Sequence, residues 1–425
     1  MNLENPKPKD QLDTESGVSP VFLVTSNRNY RLMWGVGFSA IQARMMAVLV
    51  SGYLVLKLTD SVFLTQLAGV AFLLPQVFMG IFTGLIADTF DRRKVVLVAF
   101  IIDFVMFGFL GTLLFLGLAN EIIVLVISFL VGISFNLDMV ARRTMVIDIV
   151  GKDLLTTAVP LDNLNMTIGG LLGPVIAGIL LKVLSEDHFY NVAFIYMLIA
   201  SSYLVAIFFL IRIRLEWPQI HNSFALRQSY RFVAEGFREV ISNRAIVGVL
   251  GITVLMNVAF FSFKPMIPVF AEKVLFVDPA AMGFLGGASG IGSLFGSIFI
   301  AAKRNIRSKS AYYSAGTLIS LALLIIFSFS RSYPLSLVLL ILAGVSTSAF
   351  GAMQATLILL SAKEEMRGRA MGILSLAIGA EPIGGILLGV LAEILGPSDA
   401  VGVVAVAGFI LTVVWVIVAK QMRRL

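Results

Sequence analysis

Hydrophobic positions in this chain fall in long continuous runs broken by short polar connections. They show neither the two-residue alternation of a half-buried strand nor the polar stripe of a surface helix. A helix needs about 20 apolar residues to cross a bilayer, and twelve runs meet that requirement: residues 33 to 57, 62 to 87, 95 to 118, 121 to 141, 156 to 184, 189 to 212, 246 to 271, 279 to 302, 311 to 330, 334 to 361, 369 to 395 and 399 to 420. We number them spans 1 to 12. The pattern predicts an all-α integral membrane protein. Two stretches depart from it. Met1 to Ser26 is polar and mixed in charge, without the apolar core of a signal peptide, so a cytoplasmic tail is expected there. In the longest connection, Tyr230, Val233, Phe237, Val240 and Ile241 recur at helical spacing opposite Arg231, Glu235, Arg238 and Glu239. That spacing predicts an amphipathic helix lying on the inner membrane surface as a strap.

Composition agrees with this reading and removes several functions. Hydrophobic residues make up 58% and charged residues 13%, against about a quarter charged in soluble domains. There is no cysteine and there are only two histidines, which leaves no thiolate or histidine-rich metal site. The net charge of +7 raises nucleic acid as a partner until the charges are placed. With the amino terminus inside, the tails and even-numbered connections hold 26 of the 32 Lys and Arg, and the outer connections hold four: Lys57, Lys182, Lys273 and Arg331. That imbalance predicts both termini in the cytoplasm of a multi-pass inner-membrane protein, accounts for the charge, and removes the need for a nucleic-acid partner.

The chain repeats itself. Gly80 and Gly84 recur 212 positions later as Gly292 and Gly296; Lys152-Asp153 recurs as Lys363-Glu364, and Gly173 and Gly178 as Gly384 and Gly389, 211 positions on. The expectation is a tail (residues 1–30), a six-helix bundle (31–212), a linker (213–245), a second bundle (246–420) and a short tail (421–425). Two bundles of one orientation are related by an axis along the membrane normal, with a substrate path between them.

Two motifs carry most of the chemistry. Between spans 2 and 3, an apolar helix with Gly80 and Gly84 gives way at Asp88 to a turn of Asp91, Arg92, Arg93 and Lys94. The glycines have the small-xxx-small spacing that lets helices approach closely in lipid. In span 5, Gly169, Gly173, Pro174 and Gly178 thin one face and add a kink, so that span can pack closely and bend.

These residues resemble the major facilitator superfamily from about Asn27 to Lys420. Gly84, Ile86, Ala87, Asp88, Arg92 and Arg93 match its pattern between helices 2 and 3, with Asp91 in place of the last glycine. Gly169, Gly173, Pro174 and Gly178 match the helix 5 pattern associated with exporters, with Ala177 in place of one glycine. Asn27 to Leu32, Leu58 to Ser61, Leu74-Pro75 and Asp91-Arg92-Arg93 resemble the twelve-helix drug and solute:proton antiporter branch that includes macrolide efflux pumps and the enterobactin exporter. The chain departs from that branch at Gln42-Ala43-Arg44, where a small or acidic residue is frequent. The resemblance implies a major facilitator fold of two pseudo-symmetric six-helix bundles. Spans 1, 4, 7 and 10 would face a central cavity, and spans 3, 6, 9 and 12 would lie outside it. It also implies a cytoplasmic latch of Gly84, Asp88, Arg92, Arg93, Asp138 and Arg142. In that latch Asp88 meets the amino end of span 11 near Gly368, and Arg92 pairs with a span 4 carboxylate.

Charges at bilayer depth are costly and mark functional candidates. Arg44 in span 1 and Lys264 in span 7 are expected in the cavity. Glu381 in span 11, beside the helix-breaking Pro382, is the first candidate for proton coupling, or else the ionised partner of Lys264 or Arg44. Asp138, four residues before Arg142 on one helix face, belongs to the latch or to a proton or substrate site. Asp162, with Asn163 and Asn165, lines the inner mouth or begins a helix, and Asp103 is a packing or network residue on an outer span. Phe260, Phe261, Phe263 and Met266 are expected around Lys264 as an adaptable wall.

The expected function is a secondary active exporter of amphipathic organic solutes, drug-like or siderophore-like, driven by proton antiport. It needs no cofactor beyond the proton gradient, and its partners are the small-molecule substrate, protons and membrane lipid around a monomer. Uptake or facilitated passage of a metal chelate or lipid-like anion is the alternative. A receptor or enzyme would need a catalytic cluster or a soluble domain, and a nucleotide-driven pump would need a phosphate-binding loop; neither is in the sequence.

Overall fold

The computed structural model describes residues 19–151, 153–184, 188–214, 242–302, 308–362, 366–419 and 422, without the side chains at 80–89, 156, 188, 189 and 301. Among the described residues twelve helices are long and apolar enough to cross a membrane. Spans 1 to 6 are Arg28–Thr59, Val62–Thr89, Arg92–Phe115, Glu121–Val150, Leu155–Val183 and His188–Ile211. Spans 7 to 12 are Arg244–Val274, Pro279–Ala302, Lys309–Phe329, Tyr333–Ser361, Arg367–Leu395 and Pro397–Val418. The predicted strap falls largely on residues 215–241, outside the described residues.

Several ends follow from side-chain capping of free amide groups. Asn27 accepts from the amides of Asn29 and Tyr30, Asp91 from Arg93, Asn120 from Ile123, and Asn243 from Ala245 and Ile246. Asp91, which replaces a glycine of the pattern, is thus the cap that starts span 3. Span 1 begins earlier than the apolar run suggests, and a short helix, Pro20–Ser26, precedes it with Val24 buried. Span 4 runs nine residues past its apolar stretch. Arg142, where hydropathy ends it, is buried against Asp138 and Asp162 instead of marking a loop.

Spans 7 and 11 are broken. Span 7 is α-helical over Arg244–Ala259, tightens to a 3-10 segment at Phe261–Met266, and ends in a π segment at Phe270–Val274. Pro265 and Pro268 have no amide hydrogen to continue the ladder. Span 11 stops at Ile378, and a new helix starts at Glu381 with Pro382 in its first turn, where the missing donor costs nothing.

The halves pack alike. Span 3 lies on 6, 2 on 4, and 3 on 4, and the equivalent pairs 9 and 12, 8 and 10, and 9 and 10 repeat this. Span 5 packs along span 8, and span 11 along span 2, so exchanging the halves exchanges the two seams between them. Both seams need glycine. A Cβ at Gly178 would stand 2.4 Å from the Pro279 carbonyl oxygen, and one at Gly385 would stand 2.5 Å from Val70.

Candidate functional site

A cavity of about 300 Å3 lies between the halves, walled by spans 1, 5, 7, 8 and 10. Met45, Val48, Leu49, Met166, Phe260, Phe263 and Leu285 give it apolar walls, and Thr167, Ser289 and Ser293 add hydroxyls. Among the described residues its one charged lining group is Lys264. The 3-10 segment of span 7 turns this lysine into the open space, and its Nζ stands 4.7 Å from the centre of the Phe261 ring. Of the expected aromatic wall, Phe260 and Phe263 line the cavity and Phe261 lies under the lysine, whereas Met266 is fully buried. Glu381 starts the second segment of span 11, within the electrostatic reach of Lys264 but outside the cavity lining. The breaks in spans 7 and 11 adjoin: a Cβ at Gly384 would fall 2.2 Å from the Val258 carbonyl oxygen.

Arg44 does not reach this cavity. It is 1% exposed and lies inside the amino-terminal half, 3.1 Å from Asp103 Oδ2 and 3.1 Å from Asp138 Oδ2. Its guanidinium lies over Phe135 at 4.8 Å and Tyr203 at 6.0 Å. A charge this expensive to bury turns toward the carboxylates of its own bundle, so Arg44 cannot select substrates by direct contact. For the same reason it is not a partner of Glu381. Arg142 continues the network, 3.4 Å from Asp138 Oδ1 and 3.0 Å from Asp162. The five side chains come from spans 1, 3, 4 and 5.

The latch residues separate. Arg92 pairs with Asp148, a turn from the end of span 4, rather than with Asp138, which is deeper and already holds two arginines. Arg93 donates to the Ile211 carbonyl at 2.6 Å and ties span 3 to the end of span 6. The side chains of Gly84 and Asp88 lie outside the described residues. The span 5 motif divides between two neighbours: Gly169 and Gly173 press on span 1 at Ile41 and Met45, and Pro174 and Gly178 press on span 8 at Gly283 and Gly286.

At the end of the bundle opposite the termini, the halves are joined by polar contacts. Lys57 pairs with Glu272, and Lys182 with Asp278, each at 2.8 Å. Lys273 reaches both the carbonyl and the carboxylate of Asp60, which sits in the left-handed region at φ 54°. Glu393 accepts from the Phe63 amide at 3.0 Å and from Ser61, capping span 2 from the other half. Hydrogen bonding from Lys273 holds the Asp60 carboxyl below its usual range, and Lys182 does the same for Asp278. Deeper in, Gln66 donates to the Ser262 carbonyl at 2.7 Å, fastening span 2 to the broken part of span 7.

Sequence reasoning missed these cross-half pairs, because loop charges reveal sidedness but not partners. It missed the Asp103 contact with Arg44 because Asp103 lies on an outer span. It also missed the carboxy-terminal counterpart of that network. Thr253 and Tyr313 hydroxyls meet at 2.8 Å, and Gln354, 212 positions after Arg142, donates to Thr253 at 3.0 Å.

Comparison with known proteins agrees with this architecture. A family described as transmembrane secretion effector matches residues 18–424. The Staphyloferrin A transporter of Staphylococcus aureus is 21% identical over 83% of this chain and 86% of its own length. The multidrug efflux pump Tap of Mycolicibacterium fortuitum is 25% identical over 83% and 89%, and the enterobactin exporter EntS of Shigella boydii is 23% identical over 82% of each. Among solved structures, the nucleoside transporter NupG superposes with a TM-score of 0.71 at 14% identity, covering 93% of this chain and all of its own. A bacterial homologue of the lysosomal transporter Spinster, inward-facing and unoccupied, gives 0.69 at 16% identity, covering 93% and 96%.

Proposed function

We propose, from the premise that this chain belongs to the transmembrane secretion effector family of major facilitator transporters, that it exports amphipathic organic anions across the cytoplasmic membrane in exchange for protons. The observation that carries this reading is the cavity between the halves, where Lys264 is the one charged group that the described residues place among apolar and aromatic walls. An ammonium held in a largely apolar space is poorly solvated and gains most from a ligand that brings a negative charge and an apolar body. A lipophilic cation meets no carboxylate in that lining. Relatives named for enterobactin and staphyloferrin A favour a siderophore-like acidic solute over a cationic drug.

Export proceeds by rocking the two halves around the cavity. The connections rich in Lys and Arg face the cytoplasm, so the end closed by Lys57, Lys182, Lys273 and Glu393 is the outer gate, and the structure is a state closed to the outside. Span 5 serves as a hinge: its glycines fit it to spans 1 and 8, and Pro174 lets it bend. Glu381, within reach of the Lys264 charge, is the carboxyl of the carboxy-terminal half through which substrate charge and proton trade.

Transport in everted membrane vesicles tests the substrate class with two probes, the amphipathic anion anilinonaphthalenesulfonate and the cation ethidium. The anion is expected to accumulate in the vesicles and to lose that accumulation in Lys264→Glu. Accumulation of ethidium alone, or uptake of the anion unaffected by Lys264→Glu, would remove the anion reading; movement in the opposite direction would make the chain an uptake carrier.

A further inference from the structure

We infer that Asp103 is a proton-binding site of the amino-terminal half, reached past Arg44 from the side of the central cavity and emptied when Arg44 shifts its charge onto it. The inference rests on the antiport reading above and adds a site to it. Arg44 and Arg142 bring two positive charges to three carboxylates, Asp103, Asp138 and Asp162. Asp138 touches both arginines and Asp162 touches Arg142, which leaves Asp103 as the surplus carboxylate. It is wholly buried, shares its one cation with Asp138, and its Oδ1 has no hydrogen-bond partner. A proton on Asp103 balances the cluster.

Among the other groups around the cluster, none brings a further positive charge to Asp103 itself. Tyr203 of span 6 lies against the Arg44 guanidinium and directs its hydroxyl to the Asp103 carboxyl. Ser134 of span 4 donates to the Ala99 carbonyl and also lies within hydrogen-bond reach of Asp103. Arg143 adds a positive charge at the Asp162 end of the cluster, away from Asp103.

On the cavity side there is space next to Arg44. A gap of about 20 Å3 is bounded by Arg44, Ser51 and Ser128 among apolar neighbours, one of which, Val48, also walls the central cavity. That is enough room for one water molecule bonded to these three polar groups. A proton entering there bonds to a carboxylate oxygen of Asp103, and Arg44 then serves Asp138. On release the proton returns to water and Arg44 pairs with Asp103. Asp138 is not stranded, because Arg142 already stands 3.4 Å from its other oxygen.

The carboxy-terminal half is the internal control. Its spans 7, 9 and 10, the counterparts of 1, 3 and 4, are joined by the neutral set Thr253, Tyr313 and Gln354. Three spans in this arrangement can thus be joined without charge, which sets the charged set of the first half apart.

Infrared titration of the full chain in proteoliposomes reads protonated carboxyls by their C=O stretch and needs no substrate. The expected result is a band from a buried carboxylic acid that fades with rising pH, persists in Glu381→Gln and is lost when Asp103→Asn is added to that variant. With Glu381→Gln as the background, a band that survives Asp103→Asn, or no such band at any pH where the chain is folded, would overturn the assignment. If Asp103→Asn does not fold, Asp103→Glu keeps the carboxyl and is expected to shift both band and midpoint; an unchanged titration contradicts the proposal. A titrating Asp103 in a protein whose transport of anilinonaphthalenesulfonate moves no protons would refute the antiport reading and leave the site standing.

Discussion

Spans 1, 3 and 4 of the amino-terminal half meet over Arg44, Asp103 and Asp138, whereas their counterparts, spans 7, 9 and 10, meet over Thr253, Tyr313 and Gln354. One half joins three helices with buried ions and the other with hydroxyls and an amide. Phe350, 212 positions after Asp138, stacks on Tyr313 at 5.1 Å where the first half places a carboxylate. Ions removed from water are expensive, and apolar or neutral replacements often pack as well or better. Under the antiport reading, the difference gives the two halves separate work: the first keeps charge for protons, and the second opens its helices to make a substrate wall and a second carboxyl.

The most damaging single change is expected in the charged set. Arg44→Met leaves Asp103 and Asp138 buried with one cation fewer and should cost on the order of 3–5 kcal/mol, seen as lost folded yield or a lower thermal midpoint. Adding Asp103→Asn and Asp138→Asn should recover most of that stability without recovering proton coupling. Failure to recover it would mean that the ions are structural. Next in size is Lys264→Glu, which reverses the cavity's charge and should reduce export of the anionic probe by about tenfold or more, the equivalent of roughly 1.4 kcal/mol. Glu381→Gln should uncouple export from the pH gradient while anion binding stays measurable by fluorescence; export that still follows the gradient would take Glu381 out of the coupling role.

Smaller effects are expected in the neutral set and at the closed end. Tyr313→Phe removes hydrogen bonds from a buried pair and should cost about 1 kcal/mol in thermal unfolding with no change in coupling. Lys182→Ala breaks an exposed cross-half pair worth about 0.2–1 kcal/mol, and should raise labelling of a cysteine introduced near Asp278. The chain's lack of native cysteine makes that readout clean. Asp278 is held below its ordinary pKa by Lys182, so the pair is intact above the unpaired carboxyl value and is lost as pH falls through the lowered one. Labelling should rise in strong acid and stay flat around neutrality.

Much of this was legible in the sequence because bilayer physics is strict. Twelve runs of sufficient length gave twelve spans, and the recurring glycines gave the doubled architecture. Residues whose meaning depends on partners were harder. Arg44 read as a cavity residue because depth can be counted along a helix but facing cannot. Arg92 meets a span 4 carboxylate as expected, but the sequence did not say which: it is Asp148 near the end of that span, whereas Asp138 lies further in and holds Arg44 and Arg142. The break in span 7 was written in Pro265 and Pro268, and it explains why Lys264, unlike Arg44, turns into open space.

Proton movement on adding the anionic probe tests the central claim most directly. Everted vesicles that carry the chain and are energised to an acidic interior should release protons to the outside when anilinonaphthalenesulfonate is added, and vesicles with Lys264→Glu should not. Accumulation of the anion with no proton movement, equal in vesicles with and without a pH gradient, would contradict the account.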